Sequence, residues 1–353
     1  MIDLSNLTRE WIQETADKEE ADPQLIEKVN WALLLLEGLV KQELPFVFKG
    51  GTALMLHFDS TKRLSIDIDI VVPEKTNNLD EVVEKVVETQ GFYKCERQDR
   101  ESSSTIQKEH YKLYYEPVYN TGMHEDNVLL DILIEDHCYS KVISLPIQSR
   151  FVPISKKHLR VKTASIEDLL GDKLTAFAPE TTGIPYYRGE DSMSLEIIKQ
   201  LYDIGNLFDE AHDLEVVRRT FDCIAELELG YRDRSDISGS DVLDNIYMAS
   251  LCVATRGADG RGDFRELNSG MQRINPYVFS ESYHIEKAIT DASKSAYLAT
   301  ILRSDEVEMV KFDEEEDMTD WTIEAPMNTK LNKLKKSDPE AFFYWYKIYK
   351  IRE

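Results

Sequence analysis

Asp67-Ile68-Asp69 is the part of this sequence whose residue types and spacing bear most directly on chemistry. In an extended strand, residues i and i+2 point to one face, so both carboxylates project together while Ile66, Ile68 and Ile70 face a core. Two carboxylates held close repel each other unless a cation sits between them. Hard oxygen ligands of this kind suit Mg²⁺, which is commonly held by one or two carboxylates plus substrate phosphates. Alone, the pair is a weak signal and is better read as an alternating strand with a wet acidic face. The residues around it change that reading. Lys49-Gly50-Gly51-Thr52 stands between a short apolar strand and a helix, where backbone N–H groups can approach phosphate oxygens without a Cβ in the way. Lys49 and Arg63 add positive charge on either side of this segment, and Ser65 lies on the Asp67 and Asp69 side of the strand. A glycine turn for phosphates beside a carboxylate pair for metal is what nucleoside triphosphate chemistry needs.

Asp131 is a third carboxylate of interest, because it sits inside the otherwise apolar run Asn127–Glu135. A charge in a sheet is costly unless it is paired or bound to metal. On a strand beside Asp67 and Asp69 it would be a natural base for an incoming hydroxyl; an Asp at a strand edge, or one bonded to a backbone group, is the plainer alternative. The seven histidines show no ligand spacing.

The elements that must position these groups are legible in outline. Asp22-Pro23 caps a helix whose apolar face runs through Leu25–Val40. Phe46–Phe48 reads as a strand, Ala53–Phe58 as a short helix and Ser65–Val72 as the strand carrying the acidic pair. Leu79–Gln90 reads as a helix ending at Gly91, and His110–Tyr119, Asn127–Glu135 and Val142–Val152 as further strands. Helical periodicity returns over Thr163–Phe177 and dominates to about Thr300, interrupted at Gly257–Gly262. The tail carries an acidic run, Asp305–Asp320, a basic run, Lys330–Lys336, and Phe342–Tyr349, whose aromatic side chains predict a helix docked in a core.

The expected fold class is therefore α+β: a small mixed sheet with flanking helices, then a larger, mainly helical C-terminal domain. The expected divisions are a helical lead-in (1–45), a domain carrying the site (46–160), a helical domain completing it (161–300), and the acidic and basic/aromatic tail (301–353).

The 353 residues suit two domains, and 42% hydrophobic residues suffice for a buried core. A formal net charge of −24 repels polyanions at long range, so any nucleic-acid contact must come from a local basic surface. Four cysteines without a CxxC pair give no support to a zinc site or disulfide framework. The polar, acidic start is unlike a signal peptide, and no apolar run approaches the roughly 18 residues of a membrane span. A soluble cytoplasmic protein without a membrane partner is expected.

The stretch KGGTALMLHFDSTKRLSIDID resembles the first motif of the AbiEii/AbiGii-type toxins, members of the DNA-polymerase-β-like nucleotidyltransferase superfamily: Gly-Gly-Thr/Ser, a helix, then Arg-x-Ser-x-Asp-x-Asp. Ile166–Phe177 followed by Lys199–Leu207 is similar to that family's later Lys-x-x-Ala and Lys-Asp-x-x-Asp-Leu helices. The likeness runs in order over roughly Phe46–Phe208. It differs in having Gln200 where the family often has an acid, and in a long insert at Pro179–Ser194. The resemblance implies a nucleotidyltransferase core fold with an NTP as substrate and one or two Mg²⁺ ions on Asp67 and Asp69. It also implies that Lys173 lies near the triphosphate and that Asp203 is a second functional acid. It further implies a toxin of a toxin–antitoxin or phage-defence pair, with a cognate antitoxin as partner and tRNA 3′ ends as acceptors used by some relatives. A protein or small-molecule acceptor, and a binding protein that keeps the fold without efficient catalysis, are the competing expectations.

Overall fold

The computed structural model describes residues 2–58, 62–73, 78–98, 107–119, 122, 124–153, 158–279, 281–306, 308–324 and 328–353. The chain divides into two compact units. The first is Met1–Ser165 with Pro276–Ser282, the second Ile166–Asn275 with Tyr283–Glu353.

In the first unit a 3₁₀ turn at Leu4–Asn6 precedes α1 (Arg9–Glu19) and α2 (Pro23–Lys41). Then come β1 (Val47–Lys49), α3 (Gly50–His57), β2 (Ile68–Val72), α4 (Leu79–Gln90), β3 (Lys94–Arg97), β4 (Lys108–Tyr115), β5 (Asp126–Ile134), β6 (Val142–Pro146) and β7 (Arg160–Ala164). Helix α2 starts where its sequence dictates: Asp22 Oδ1 accepts the N–H groups of Gln24 and Leu25 at 2.8 and 3.4 Å, with Pro23 in the first turn. Its apolar residues run nearly all round, so it is buried rather than merely docked. Trp31 stacks on Tyr115 with ring centroids 4.5 Å apart and leans on Phe92 at 5.1 Å. The buried Glu27 carboxylate is satisfied by the N–H groups of Val118 and Tyr119 at 2.6 and 2.9 Å.

The strands form one mixed sheet in the order β3-β4-β5-β2-β1-β7-β6. The β1–β7 and β2–β5 pairs are parallel and the others antiparallel. One face is apolar: Ile68, Ile70 and Val72 on β2, Leu130 and Ile132 on β5, and Tyr111, Leu113 and Tyr115 on β4 join the core that α2 and α4 complete. Alternation therefore sends the intervening residues, Asp69, Asp131 and His110 among them, to the opposite face. The segment after Asn275 returns to this unit. Tyr277 O accepts Leu64 N–H at 2.8 Å, Val278 bridges Arg63, and Phe279 meets Phe151 edge-on at 4.9 Å.

Several boundaries differ from expectation. The strand predicted from Ser65 begins at Ile68, because Asp67 O is taken by a side chain rather than a neighbouring strand. The strand predicted over His110–Tyr119 stops at Tyr115, two residues before Pro117, which lacks an N–H for the ladder. The one predicted over Val142–Val152 ends at Pro146. Thr163, expected to open a helix, is the fourth residue of β7, and its hydroxyl donates to Phe48 O at 2.9 Å.

The second unit holds α5 (Ile166–Ala176), the hairpin β8 (Tyr187–Arg188) and β9 (Asp191–Ser192), α6 (Ser194–Glu210), α7 (Leu214–Tyr231), α8 (Gly239–Ala254), α9 (Phe264–Arg273), α10 (Ile285–Arg303), α11 (Asn328–Ser337) and α12 (Pro339–Arg352). Helix α10 packs against α6, α8 and α12. Its Lys294 is buried, with Nζ 2.8 Å from Asp209 and 2.9 Å from Glu340. Helix α12 buries Phe342, Phe343, Tyr344 and Trp345, as its aromatic content predicts. The described part of Asp305–Asp320 carries neither helix nor strand. Among the described residues no helix is long and apolar enough to cross a membrane.

Candidate functional site

Gly50, Gly51 and Thr52 do not form a turn ahead of a helix; they are the first turn of α3. Lys49 stands at the N-cap in an extended conformation and supplies no side-chain capping bond. The first N–H groups of an α-helix have no intrahelical partner, and the helix dipole favours negative charge there. This helix start therefore presents backbone donors suited to phosphate oxygens.

Both glycines are required by what approaches them. Gly50 has φ +78°, and a Cβ added there would lie 2.0 Å from Asp69 Oδ2. At Gly51 an added Cβ would lie 2.6 Å from Arg63 Nη2 and 2.8 Å from Ser65 Oγ. The structure thus brings Asp69, Arg63 and Ser65 directly against the helix start. Thr52 is fully buried, and its hydroxyl donates to Asp67 O at 2.6 Å, fixing the backbone of the first acidic residue. Arg63 is 6% exposed and donates from Nη1 to Leu64 O at 3.3 Å.

The strand register adds an arrangement that sequence spacing cannot show. Lys49 pairs with Asp69 across β1–β2, Asp69 with Asp131 across β2–β5, and Asp131 with His110 across β5–β4. Four neighbouring strands, about 4.8 Å apart, therefore carry Lys49, Asp69, Asp131 and His110 at one level. Asp69 and Asp131 both alternate with fully buried residues, so they share the face opposite the core. His110 Nδ1 donates to Asp131 Oδ1 at 2.6 Å. A carboxylate accepts only, which assigns the proton to Nδ1. His110 escaped the sequence reading because its partner lies 21 residues away. The signal was the alternation in HYKLYY, which sets His110 opposite the core residues Tyr111, Leu113 and Tyr115.

Among the described residues no three His, Cys, Asp or Glu side chains converge into a ready metal cage. Half-buried Asp67 and Asp69 beside the start of α3 fit an ion that takes few protein ligands and completes its shell with water and phosphate, as Mg²⁺ does.

In the second unit, Lys173 on α5 reaches α6. Its Nζ is 3.0 Å from Asp203 Oδ2 and donates to Gln200 Oε1 at 2.8 Å. The two charged side chains are 10% and 2% exposed. Gln200, one turn before Asp203, thus serves as a neutral acceptor for the same ammonium. An acid there would add a second buried carboxylate to a single cation.

Residues 34–283 match the family profile described as nucleotidyl transferase AbiEii toxin, Type IV TA system. The chain belongs to this family. It is accordingly a nucleotidyltransferase-family member of the toxin branch, and the profile spans both the site around Asp69 and the Lys173–Asp203 pair. Among solved structures, a Helicobacter pylori protein described as a candidate nucleotidyltransferase is similar at 17% identity and TM-score 0.41, over 76% of this chain and 91% of its own. JHP933 from Helicobacter pylori is similar at 17% identity and TM-score 0.42, over 78% and 92%. A comparison with curated proteins gives no match.

Proposed function

We propose that this AbiEii-family chain transfers a nucleoside monophosphate from an NTP to an acceptor hydroxyl at the 3′ end of an RNA, tRNA being the first acceptor to test. The observation that supports it is the level row of Lys49, Asp69, Asp131 and His110 beside the start of α3. Backbone N–H groups of Gly50 and Gly51, with Arg63 and Ser65 close by, receive the phosphates. Thr52 acts one step back, by holding Asp67. Asp67 and Asp69 are the residues that would hold Mg²⁺, which when bound supplies positive charge to the phosphates. By the family resemblance we propose Lys173 as a further contact of the triphosphate, held in place by Asp203, 3.0 Å from its Nζ, and by Gln200 at 2.8 Å.

The chemistry is an in-line displacement. A bond forms between the acceptor oxygen and the α-phosphorus, and the bond from that phosphorus to the bridging oxygen breaks. Pyrophosphate leaves with the electron pair, and Asp131 takes the acceptor proton. Catalysis of this kind is mainly positioning and electrostatic stabilisation. As the toxin of a toxin–antitoxin pair the protein would act in the cytoplasm, alongside a cognate antitoxin, and blocked tRNA would arrest translation, a phage-defence outcome.

The test incubates purified protein with each labelled NTP, Mg²⁺ and total tRNA. Label on RNA that disappears with Asp67→Asn is the expected result. The net charge of −24 favours a less anionic acceptor, and label on protein instead of RNA would replace the RNA reading with protein nucleotidylation. NTP binding without any transfer would leave a binding protein that keeps the fold.

A further inference from the structure

We propose that His110 is the positioning residue that orients Asp131 for proton abstraction. The inference rests on the reading of the site given above. Asp131 is half-exposed at 36%, whereas its partner His110 is only 15% exposed, so the imidazole is the fixed member of the pair. The hydrogen bond at 2.6 Å occupies Oδ1. Among the described residues Oδ2 makes no hydrogen bond, so one oxygen is anchored and the other remains able to accept a proton.

Few other groups on that face are suited to this anchoring. Along β5 the neighbours of Asp131 on its own face are Leu129 and Leu133, which carry no donor. The next residue on the corresponding face of β4, Lys112, pairs with Leu129 one level away. On the other side of Asp131 stands Asp69, an acceptor like itself. His110 thus faces a carboxylate that would otherwise turn freely about its last torsion, next to a second carboxylate that repels it.

The geometry also says which proton moves. As the acceptor oxygen bonds to the α-phosphorus and pyrophosphate departs with its electron pair, the acceptor's proton passes to Asp131 Oδ2. The Nδ1–H of His110 stays on the ring, so the imidazole neither gains nor loses a proton in the step. A structural ladder pair of the ordinary kind would behave differently. It would add a little sheet stability and be indifferent to whether position 110 can donate a hydrogen bond.

Full-length His110→Leu and His110→Asn proteins separate these possibilities, since asparagine keeps an N–H close to the place of Nδ1. Nucleotidyl transfer is measured as kcat and KM for the NTP. The expected result is that His110→Leu lowers kcat about 10- to 100-fold, the range for a misplaced or weakened base, while KM changes little. His110→Asn should recover most of that loss. Equal kcat in wild type and His110→Leu would overturn the proposal, as would equal losses in both variants. Should His110→Leu fail to fold, selectively ¹⁵N-labelled histidine in the wild-type protein decides the matter. A strongly downfield Nδ1–H resonance that is lost in Asp131→Ala supports the pair, and its absence from the wild type refutes it. An Asp67→Asn protein as active as wild type would sink the reading of the whole site, a result distinct from any His110 outcome.

Discussion

Gly50→Ala perturbs the site at a single atom, and its effect can be worked from the geometry. Two costs arise at this position. The backbone sits at φ +78°, in the left-handed region, where an L-residue with a Cβ loses about 1–2 kcal/mol. The new methyl would also lie 2.0 Å from Asp69 Oδ2, against an ordinary contact of 3.4 Å or more. The carboxylate must therefore recede by about 1.4 Å, or the helix start must move by the same amount. A misplacement of roughly 1 Å at a reacting centre can cost about 100-fold, near 2.7 kcal/mol of activation free energy. Gly189→Ala provides the control. Gly189 lies in the β8–β9 hairpin at φ +64°, with nothing within 4 Å of an added Cβ, so it carries the backbone cost alone. Urea unfolding should show a loss of about 1–2 kcal/mol for Gly189→Ala and a larger one for Gly50→Ala, which must also relieve the contact with Asp69. Transfer assays should show kcat down by about 100-fold or more for Gly50→Ala and close to wild type for Gly189→Ala. If Gly50→Ala turned over at the wild-type rate, the contact between Asp69 and the helix start would have no bearing on the chemistry.

Two further outcomes follow from the second unit. Lys173→Met or Asp203→Asn alone strands a buried partner and should cost about 3–5 kcal/mol in urea unfolding, with Lys173→Met/Asp203→Leu less destabilised than Lys173→Met. A loss below about 1 kcal/mol in the single variants would show the pair to be solvated. Burial raises Asp291 from the ordinary carboxylate range to about 7, opposed by Lys294 and by the Tyr283 hydroxyl, which donates to it at 2.8 Å. A folded value above the unfolded one means that the folded state binds the extra proton. This contribution to stability is complete below pH ~4 and falls as pH rises toward 7, by at most about 1.4 kcal/mol per pH unit. The stability difference between wild type and Asp291→Asn should therefore shift against wild type between pH 5 and 7.5. A difference that stays constant, or shifts the other way, counts against a neutral Asp291.

Much of the first unit was legible because local rules and tertiary burial agree there. Asp22-Pro23 begins α2, Gly91 at φ +85° ends α4, and Asn127–Glu135 differs from β5 by one residue at each end. Strands β3 and β7 were missed for a physical reason. KCER and RVKTA are short and rich in charge, and their pairing partners rather than their composition make them strands. The same limit applies to the site. The order Gly50, Gly51, Thr52, Arg63, Ser65, Asp67, Asp69 could be read along the chain as phosphate and metal chemistry. The Thr52 hydroxyl turning inward to Asp67 O, and the level pairing of Asp69, Asp131 and His110, depend on register, which a linear reading does not contain. The Lys173–Gln200–Asp203 cluster likewise joins two helices across an insert.

The return of residues 276–282 to the first unit bears on how this chain is made. Arg63 and Leu64 meet Val278 and Tyr277, more than 200 positions later in the sequence. A nascent chain emerges at about 5–20 residues per second, so roughly 10–40 s separate synthesis of the glycine motif from synthesis of the segment that secures its flank. Through that interval the sheet can assemble from its own strands, but Arg63 and Leu64, near the start of α3, lack Val278 and Tyr277. In a chain of a toxin family, the order of synthesis itself delays completion of this flank until Tyr277 and Val278 have been made.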